Sequence, residues 1–287
     1  MDQERSLMAV LAHPDDESLG MGGVLARYAA EGVATHLVVA TRGERGWYFT
    51  NDPRPGDTEV GRVRELELQA AAGVLGVRDV ALLGYLDGDL DRADSREAVA
   101  RIADRIRLVR PQVIVTFEPF GGYGHPDHIA ISQFTTAAVS AAAHGDFAGS
   151  TRPPHQVLKL YYFAWSERSW EPYQAAFKTL VSRVDGVERQ AMHWPEWAIT
   201  TRVDTTSQID TVWRAIQCHR TQMAVYEQLE RLSREQRQAI FGQYTFYRAM
   251  SLVNGGRTPE GDLFAGIPSH AFTPVGSEAR HEHQAAH

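Results

Sequence analysis

The sequence predicts an α/β fold in which a mostly parallel sheet is flanked by helices, and two observations support this. Short, continuous apolar runs, which are typical of strands covered on both faces, recur along the first half, beginning with residues 7–12. These runs alternate with segments whose apolar residues repeat at helical spacing. Strand and helix alternate in this way four times, which indicates a parallel sheet with right-handed crossovers, a Rossmann-like arrangement.

The first two strands are predicted at residues 7–12 and 35–41. Between them, the small residues of 19–30 predict a helix that ends near Gly32. A loop follows from 42 to about 58, marked by several glycines and prolines. It is long for a compact domain, and long loops are more often functional than accidental.

Two helices and two strands complete the first half. A helical stripe runs through Val63, Leu66, Ala70 and Val74, and a short strand is predicted at 79–83. A second stripe covers 99–109 and cannot continue past Pro111. The fourth strand is predicted at 113–117.

Beyond residue 150 the pattern is less regular. We expect a strand at 157–163, a helix from Ile209 through Ile216 that extends towards Leu229, and a charged helical segment at 228–240. The prediction is one domain over 1–277, in which a Rossmann-like half (1–150) carries the candidate site and an irregular C-terminal lobe (151–277) shapes the pocket. Residues 278–287 have the composition of a disordered tail.

The composition narrows the class of protein. Hydrophobic residues make up 43% and charged residues 23%, which is ordinary for a folded globular chain. The formal net charge of −7 argues against a nucleic-acid partner. The lone Cys218 cannot form an internal disulfide, and the apolar run at 7–12 is too short to cross a membrane. We therefore expect a cytoplasmic protein with neither a membrane nor a nucleic acid as partner.

Ionisable side chains follow the first and fourth predicted strands. His13, Asp15 and Asp16 come after the first, and His125, Asp127 and His128 after the fourth. Ligands of open parallel sheets bind outside the carboxyl ends of the strands, so these side chains should meet. Taken alone, the aspartates of either segment are more readily explained as caps of the helix that follows.

Together, two imidazoles and one carboxylate form a three-ligand set for a divalent metal with an open position, as in catalytic zinc sites. The carboxylate and histidine that remain could transfer protons. Because neighbouring side chains point in different directions, one of Asp15 and Asp16 would bind the metal and the other would face its water. The spacing leaves open which of His125 and His128 is a ligand.

The Ala-His-Pro-Asp-Asp-Glu run at 12–17 and the Gly-Tyr-Gly-His-Pro-Asp-His run at 122–128 resemble the PIG-L/LmbE-like family of metal-dependent deacetylases. The resemblance covers roughly residues 5–140. It implies that His13, Asp16 and His128 bind the metal and that Asp15 is the general base. It further implies that His125 polarises the amide or protonates the leaving amine in its protonated form, that Asp127 orients His125, and that Tyr123 assists the tetrahedral intermediate. Substrate-contacting positions fall on Arg64, Asp87 and Glu44.

The resemblance also implies an activity and its partners. Members remove acetyl from N-acetylglucosamine carried on another group, so we expect Zn²⁺, or Fe²⁺ or another divalent metal, and a small amino-sugar substrate. The family includes oligomers, so a homo-oligomer is consistent with it. This chain has Trp47 near the position of an acidic residue in the mycothiol enzymes.

Several alternatives remain. An amidase acting on a larger glucosaminyl conjugate and a non-catalytic metal-binding protein would use the same ligands. An iron oxygenase is disfavoured by the alternation of strands and helices, and a dinucleotide-binding protein by carboxylates where phosphate would bind. The tryptophans of the second half could form an acceptor wall for a sugar or an apolar aglycone, but packing is favoured. The His219-x-x-Gln222 pattern is given no role.

Overall fold

A computed structural model describes residues 4–49, 53–145, 147, 151–177, 181–184, 186–256 and 258–268 of the chain. The predicted tail at 278–287 lies outside the described residues. Within them the strands are β1 (Ser6–Leu11), β2 (Ala34–Thr41), β3 (Asp79–Tyr85), β4 (Val113–Phe117), β5 (Lys159–Phe163), β6 (Val181–Val184), β7 (Val187–Gln190), β8 (Thr201–Asp204) and β9 (Gln243–Ser251). The α-helices are α1 (Asp16–Leu19), α2 (Gly22–Ala30), α3 (Asp57–Leu75), α4 (Ser95–Val109), α5 (Gly121–Gly124), α6 (Pro126–Ala143), α7 (Glu167–Phe177), α8 (Ile209–Ile216), α9 (Glu227–Glu230) and α10 (Arg234–Phe241).

Seven strands form the central sheet in the order β3-β2-β1-β4-β5-β9-β8. The strands from β3 to β5 pair in parallel, whereas β9 and β8 pair in antiparallel fashion. The predicted α/β class with a mostly parallel sheet is therefore confirmed. Every residue of β1 and β4 is buried, which is why these strands are continuously apolar in the sequence.

The order of the strands reverses between β1 and β4. β1 leads through α1 and α2 to β2 on one side, while β4 leads through α6 to β5 on the other. The loops that leave the carboxyl ends of β1 and β4 therefore diverge and open a crevice, the usual ligand position in such sheets.

The second half differs in two ways from the sequence-based expectation. First, β9 and β8 extend the sheet by two antiparallel strands. Second, α8 ends at Ile216 and does not run on towards Leu229. Beyond the end of the helix, the backbone N–H of Thr221 and its hydroxyl both bind the carboxylate of Glu67 on α3, at 2.9 and 2.7 Å.

A buried charge cluster ties residues 258–268 to the sheet. The Glu260 carboxylate accepts hydrogen bonds from Lys159 Nζ at 2.7 Å, Tyr161 Oη at 2.7 Å and Thr201 Oγ1 at 3.0 Å. Arg248 Nη1 lies 2.7 Å from the same carboxylate. Among the described helices, none has the length and apolar character required to span a bilayer.

Candidate active site

The crevice between β1 and β4 brings together the residues predicted from the two motifs. The chain leaves β1 at Leu11 and presents His13, Asp15 and Asp16, all buried. It leaves β4 at Phe117 and reaches His128 in the first turns of α6. These side chains line a cavity of about 320 Å³.

Donor atoms of three residues in this cavity form a triangle, to which Asp16 contributes both carboxylate oxygens. His13 Nδ1 lies 3.1 Å from His128 Nε2 and 3.8 Å from Asp16 Oδ2, and His128 Nε2 lies 3.5 Å from Asp16 Oδ1. Ligand atoms bound tetrahedrally to one zinc ion at about 2.0–2.2 Å would be roughly 3.3–3.6 Å apart. The distances of the triangle, 3.1–3.8 Å, are close to that range, with Oδ2 of Asp16 facing His13 and Oδ1 facing His128.

Hydrogen bonds on the far side of each imidazole orient the two rings. His13 Nε2 is 3.1 Å from Asp127 Oδ2 and 3.1 Å from Asp87 Oδ1. His128 Nδ1 donates to the carbonyl oxygen of Gly121 at 3.1 Å. With these nitrogens occupied, His13 Nδ1 and His128 Nε2 are the atoms available to a metal, the usual arrangement around metal-binding histidines.

The charges of the site also favour a cation. Burial, together with the carboxylates of Asp15 and Glu17, raises the pKa of Asp16 to about 7 although the charge on His13 opposes them. A bound cation would stabilise the ionised form of Asp16. Two sets of donor atoms, with one atom from each residue, lie within 4.8 Å of one another, namely His13 with His125 and His128, and His13 with Asp87 and Asp127; neither set includes Asp16.

Gly121, which orients His128, has a conformation that requires glycine. Its φ is +72°, and a Cβ placed there would lie 2.7 Å from the Cβ of His128. The sharp turn through Gly121 is therefore what allows the chain to pass so close to this histidine.

His125 differs from its prediction in its protonation and its contact with Asp127. Its Nδ1 accepts a hydrogen bond from the backbone N–H of Asp127 at 3.2 Å, so Nε2 carries the proton of the neutral ring. Burial and then the charge on His13 lower the pKa of His125 to about 4. The Asp127 carboxylate, expected to favour an imidazolium at His125, contacts His13 instead, and its backbone N–H binds His125. The role of His125 in the reaction stays a prediction.

The Asp127 carboxylate also does not cap α6, the alternative that the sequence left open. It accepts hydrogen bonds from the backbone N–H groups of Gly88 at 2.7 Å and Leu90 at 3.1 Å, besides its contact with His13. The N-cap of α6 is His125 itself. Asp127 thus joins the loop after β3 to the histidine after β1.

Asp15 has a strained backbone, with φ 113° and ψ −27°, and its side chain makes no capping bond. Its Oδ2 instead receives hydrogen bonds from Arg64 Nη2 at 3.1 Å and Tyr226 Oη at 2.8 Å. Burial raises the pKa of Tyr226 well above its usual range, which keeps the phenol protonated as a donor. The carboxylate is held at the wall of the cavity rather than at the helix terminus.

Tyr123 lies beside the imidazoles, as the motif suggested. Its ring makes edge contacts with His125 and His128, with centroids 5.9 and 5.2 Å apart. Burial raises the pKa of the Tyr123 phenol well above its usual range, so its hydroxyl is available as a donor to the cavity that it lines.

The three predicted substrate-contacting residues have different surroundings. Arg64 and Asp87 line the cavity, although Arg64 also donates to the carbonyl oxygens of Pro14 and Gly43 and Asp87 contacts His13. Glu44 is not among the described residues that line it. Its carboxylate accepts hydrogen bonds from the backbone of Arg42 and Asp87, each at 3.2 Å, and so joins two loops. The substrate contact predicted for Glu44 stays a prediction.

Sequence reasoning missed the cavity residues that come from the second half of the chain. They are Phe163, Trp165, Tyr173, Gln222, Val225 and Tyr226. The interpretation of Trp165 as packing is incomplete, since it contacts Tyr173 at a centroid distance of 4.3 Å and lines the cavity. The signal that could have found Gln222 was the His219-x-x-Gln222 pattern.

Comparison with known proteins identifies the family to which the chain belongs. The model of a family described as "PIG-L: GlcNAc-PI de-N-acetylase" matches residues 8–139. A protein of Kineococcus radiotolerans named 1D-myo-inositol 2-acetamido-2-deoxy-alpha-D-glucopyranoside deacetylase is 35% identical, over 93% of this chain and 84% of that protein. The chain belongs to the PIG-L family.

Two solved structures show how the PIG-L fold recurs. The N,N'-diacetylchitobiose deacetylase of Pyrococcus horikoshii is 20% identical with a TM-score of 0.64, over 85% of this chain and 83% of that chain. GalB of Pseudomonas putida KT2440, a 4-carboxy-2-hydroxymuconate hydratase, is 22% identical with a TM-score of 0.63, over 88% and 99%. At these identities the similarity establishes the fold alone.

Proposed function

We propose that this PIG-L protein is a metal-dependent hydrolase that removes the N-acetyl group from an N-acetylglucosamine-type substrate. The observation that carries the proposal is the triangle of His13 Nδ1, Asp16 and His128 Nε2 beside the carboxylate of Asp15 at one cavity wall. The Kineococcus relative is named as a deacetylase of an inositol-linked acetamido sugar, which supports this substrate class.

His13, Asp16 and His128 would hold the cation, and we propose Zn²⁺ because mixed imidazole and carboxylate ligands suit it. A divalent cation there would lower the pKa of water towards neutrality and polarise a carbonyl oxygen. Fe²⁺ would suit the same donors.

The residues of the chain would supply the remaining chemistry. Asp15 would take the proton of the attacking water through its carboxylate. His125, neutral and carrying its proton on Nε2, would donate a hydrogen bond to the developing oxyanion, with the Tyr123 hydroxyl as a second donor. The proton held by Asp15 would then pass to the departing amine.

Amine release is the decisive measurement. The zinc-loaded protein is incubated with N-acetylglucosaminyl-inositol, other N-acetylglucosaminides and larger glucosaminyl amides, and primary amine is quantified. We expect turnover of at least one acetamido sugar, its loss on chelation and its return with zinc. Asp15→Asn should keep the metal and lose nearly all turnover. Turnover confined to the larger amides would favour a conjugate amidase, and metal binding without any turnover would contradict the proposal.

A further inference from the structure

A segment of the second half, residues 219–226, reaches Asp15 by two independent routes. The segment is anchored to α3 by the bonds between Thr221 and Glu67. Gln222 Nε2 donates to the carbonyl oxygen of Gly46 at 3.0 Å and joins the segment to the cavity wall. His219 and Tyr226, at its two ends, have no part in the mechanism described above.

The first route leads from His219 through Glu17 to the backbone of Asp15. His219 and Glu17 are both fully buried, and His219 Nε2 lies 2.6 Å from Glu17 Oε1. The other oxygen, Glu17 Oε2, accepts the backbone N–H of Asp15 at 2.9 Å. A buried N–H in a strained turn requires an acceptor, and a buried carboxylate requires a partner. Glu17 therefore holds Asp15 in its unusual conformation, and His219 holds Glu17.

The second route leads from Tyr226 to the Asp15 carboxylate. Tyr226 Oη and Arg64 Nη2 both donate to Oδ2, at 2.8 and 3.1 Å. The described part of the chain supplies no hydrogen bond to Oδ1. An oxygen that already accepts two hydrogen bonds is the poorer proton acceptor, so Oδ1 is left to take the proton of the nucleophile.

We propose that His219 and Tyr226 are positioning residues for Asp15: His219 fixes its backbone through Glu17, and Tyr226 fixes its carboxylate so that Oδ1 acts as the base. This rests on the proposed function, in which Asp15 is that base. The contribution of the second half to the reaction is then orientation of the base as well as the shape of the pocket.

The test compares kcat and KM of zinc-loaded variants, with kcat expressed per bound zinc so that unfolded protein does not count. Tyr226→Phe removes one hydroxyl and should lower kcat on the order of 10- to 100-fold with KM within about twofold of wild type. His219→Leu should lower kcat at least as much, and His219→Gln, whose amide can still donate to Glu17, should recover part of the loss. Matched controls are Tyr244→Phe and His155→Gln, which alter buried residues outside the site.

The outcomes separate the inference from the proposed function. Wild-type turnover together with kcat values of Tyr226→Phe and His219→Leu within twofold of wild type would overturn the inference alone. A rise in KM at constant kcat would also overturn it, because the residues would then bind substrate. If His219→Leu does not fold, kcat of Tyr226→Phe decides. A wild-type protein that releases no amine from any substrate overturns the proposed function and this inference with it.

Discussion

Asp127→Asn would test whether the carboxylate behind His13 controls metal binding. Asp127 is fully buried and accepts three hydrogen bonds, from Gly88 N at 2.7 Å, Leu90 N at 3.1 Å and His13 Nε2 at 3.1 Å. Asparagine has nearly the same shape but only one acceptor oxygen. In either orientation of the amide, its NH₂ group must face a group that donates in the wild type.

The expected loss of zinc affinity depends on which hydrogen bond of Asp127 is lost. If the amide nitrogen faces His13, the proton of the ring can move to Nδ1, which is the atom that would bind the metal. Loss of a hydrogen bond to a charged group costs about 1.5–3 kcal/mol, which corresponds to roughly 10- to 150-fold in an equilibrium constant. Metal-site partners of this kind typically change affinity by about 10- to 100-fold. Asp87 still contacts His13 Nε2 at 3.1 Å. We therefore expect Asp127→Asn to weaken zinc binding about tenfold, and the double variant with Asp87→Asn to weaken it more.

Zinc affinity is measured by competition with a chromogenic chelator, and kcat/KM for amine release is measured at saturating zinc. Asp91→Asn, which changes an exposed carboxylate in the loop after β3, is the control and should match wild type. The reasoning would be refuted if Asp127→Asn were folded and bound zinc within twofold of wild type.

Two further predictions concern stability. Glu260→Gln should lower the free energy of unfolding by about 3–5 kcal/mol at pH 7, since it leaves buried Lys159 without its charged partner. Although burial opposes it, hydrogen bonds from Lys159, Tyr161 and Asn254 lower the pKa of Glu260 from 4.5 to about 2, so its stabilisation is present above about pH 5 and lost as the pH falls. In urea titrations the difference in free energy of unfolding between Glu260→Gln and wild type should narrow by roughly 1 kcal/mol from pH 7 to pH 4. A difference that stays constant over this range would contradict the prediction. Gly121→Ala should cost about 2–4 kcal/mol in the same assay, because it adds strain at φ +72° and a clash with His128, whereas Gly56→Ala, with open space around it, should be nearly neutral.

The parallel half of the sheet was predictable because burial on both faces forces its strands to be continuously apolar. β4 has the predicted bounds, Val113–Phe117, and β1 differs by one residue at each end. The strand ends then located the two motifs at one crevice, and the triangle of His13, Asp16 and His128 follows from that placement.

The features that the sequence did not predict depend on contacts between residues distant in sequence. Helical periodicity cannot show that the segment after α8 is held by a bond between Thr221 and Glu67, because that bond joins residues 154 positions apart. The contact between Asp127 and His13 was missed for a similar reason. Its neighbour in sequence is His125, but its carboxylate binds His13, 114 positions away.

The PIG-L fold determines where chemistry occurs and leaves the reaction open. A Pseudomonas putida hydratase has the same fold, so the crevice between β1 and β4 does not by itself specify hydrolysis of an amide. The proposed hydrolysis needs a group that accepts a proton from the nucleophile. In the proposed mechanism that group is Oδ1 of Asp15, because Arg64 from α3 and Tyr226 from the second half both donate to Oδ2. On this proposal, residues that orient Asp15 would contribute to the choice of reaction as well as residues that would hold the metal.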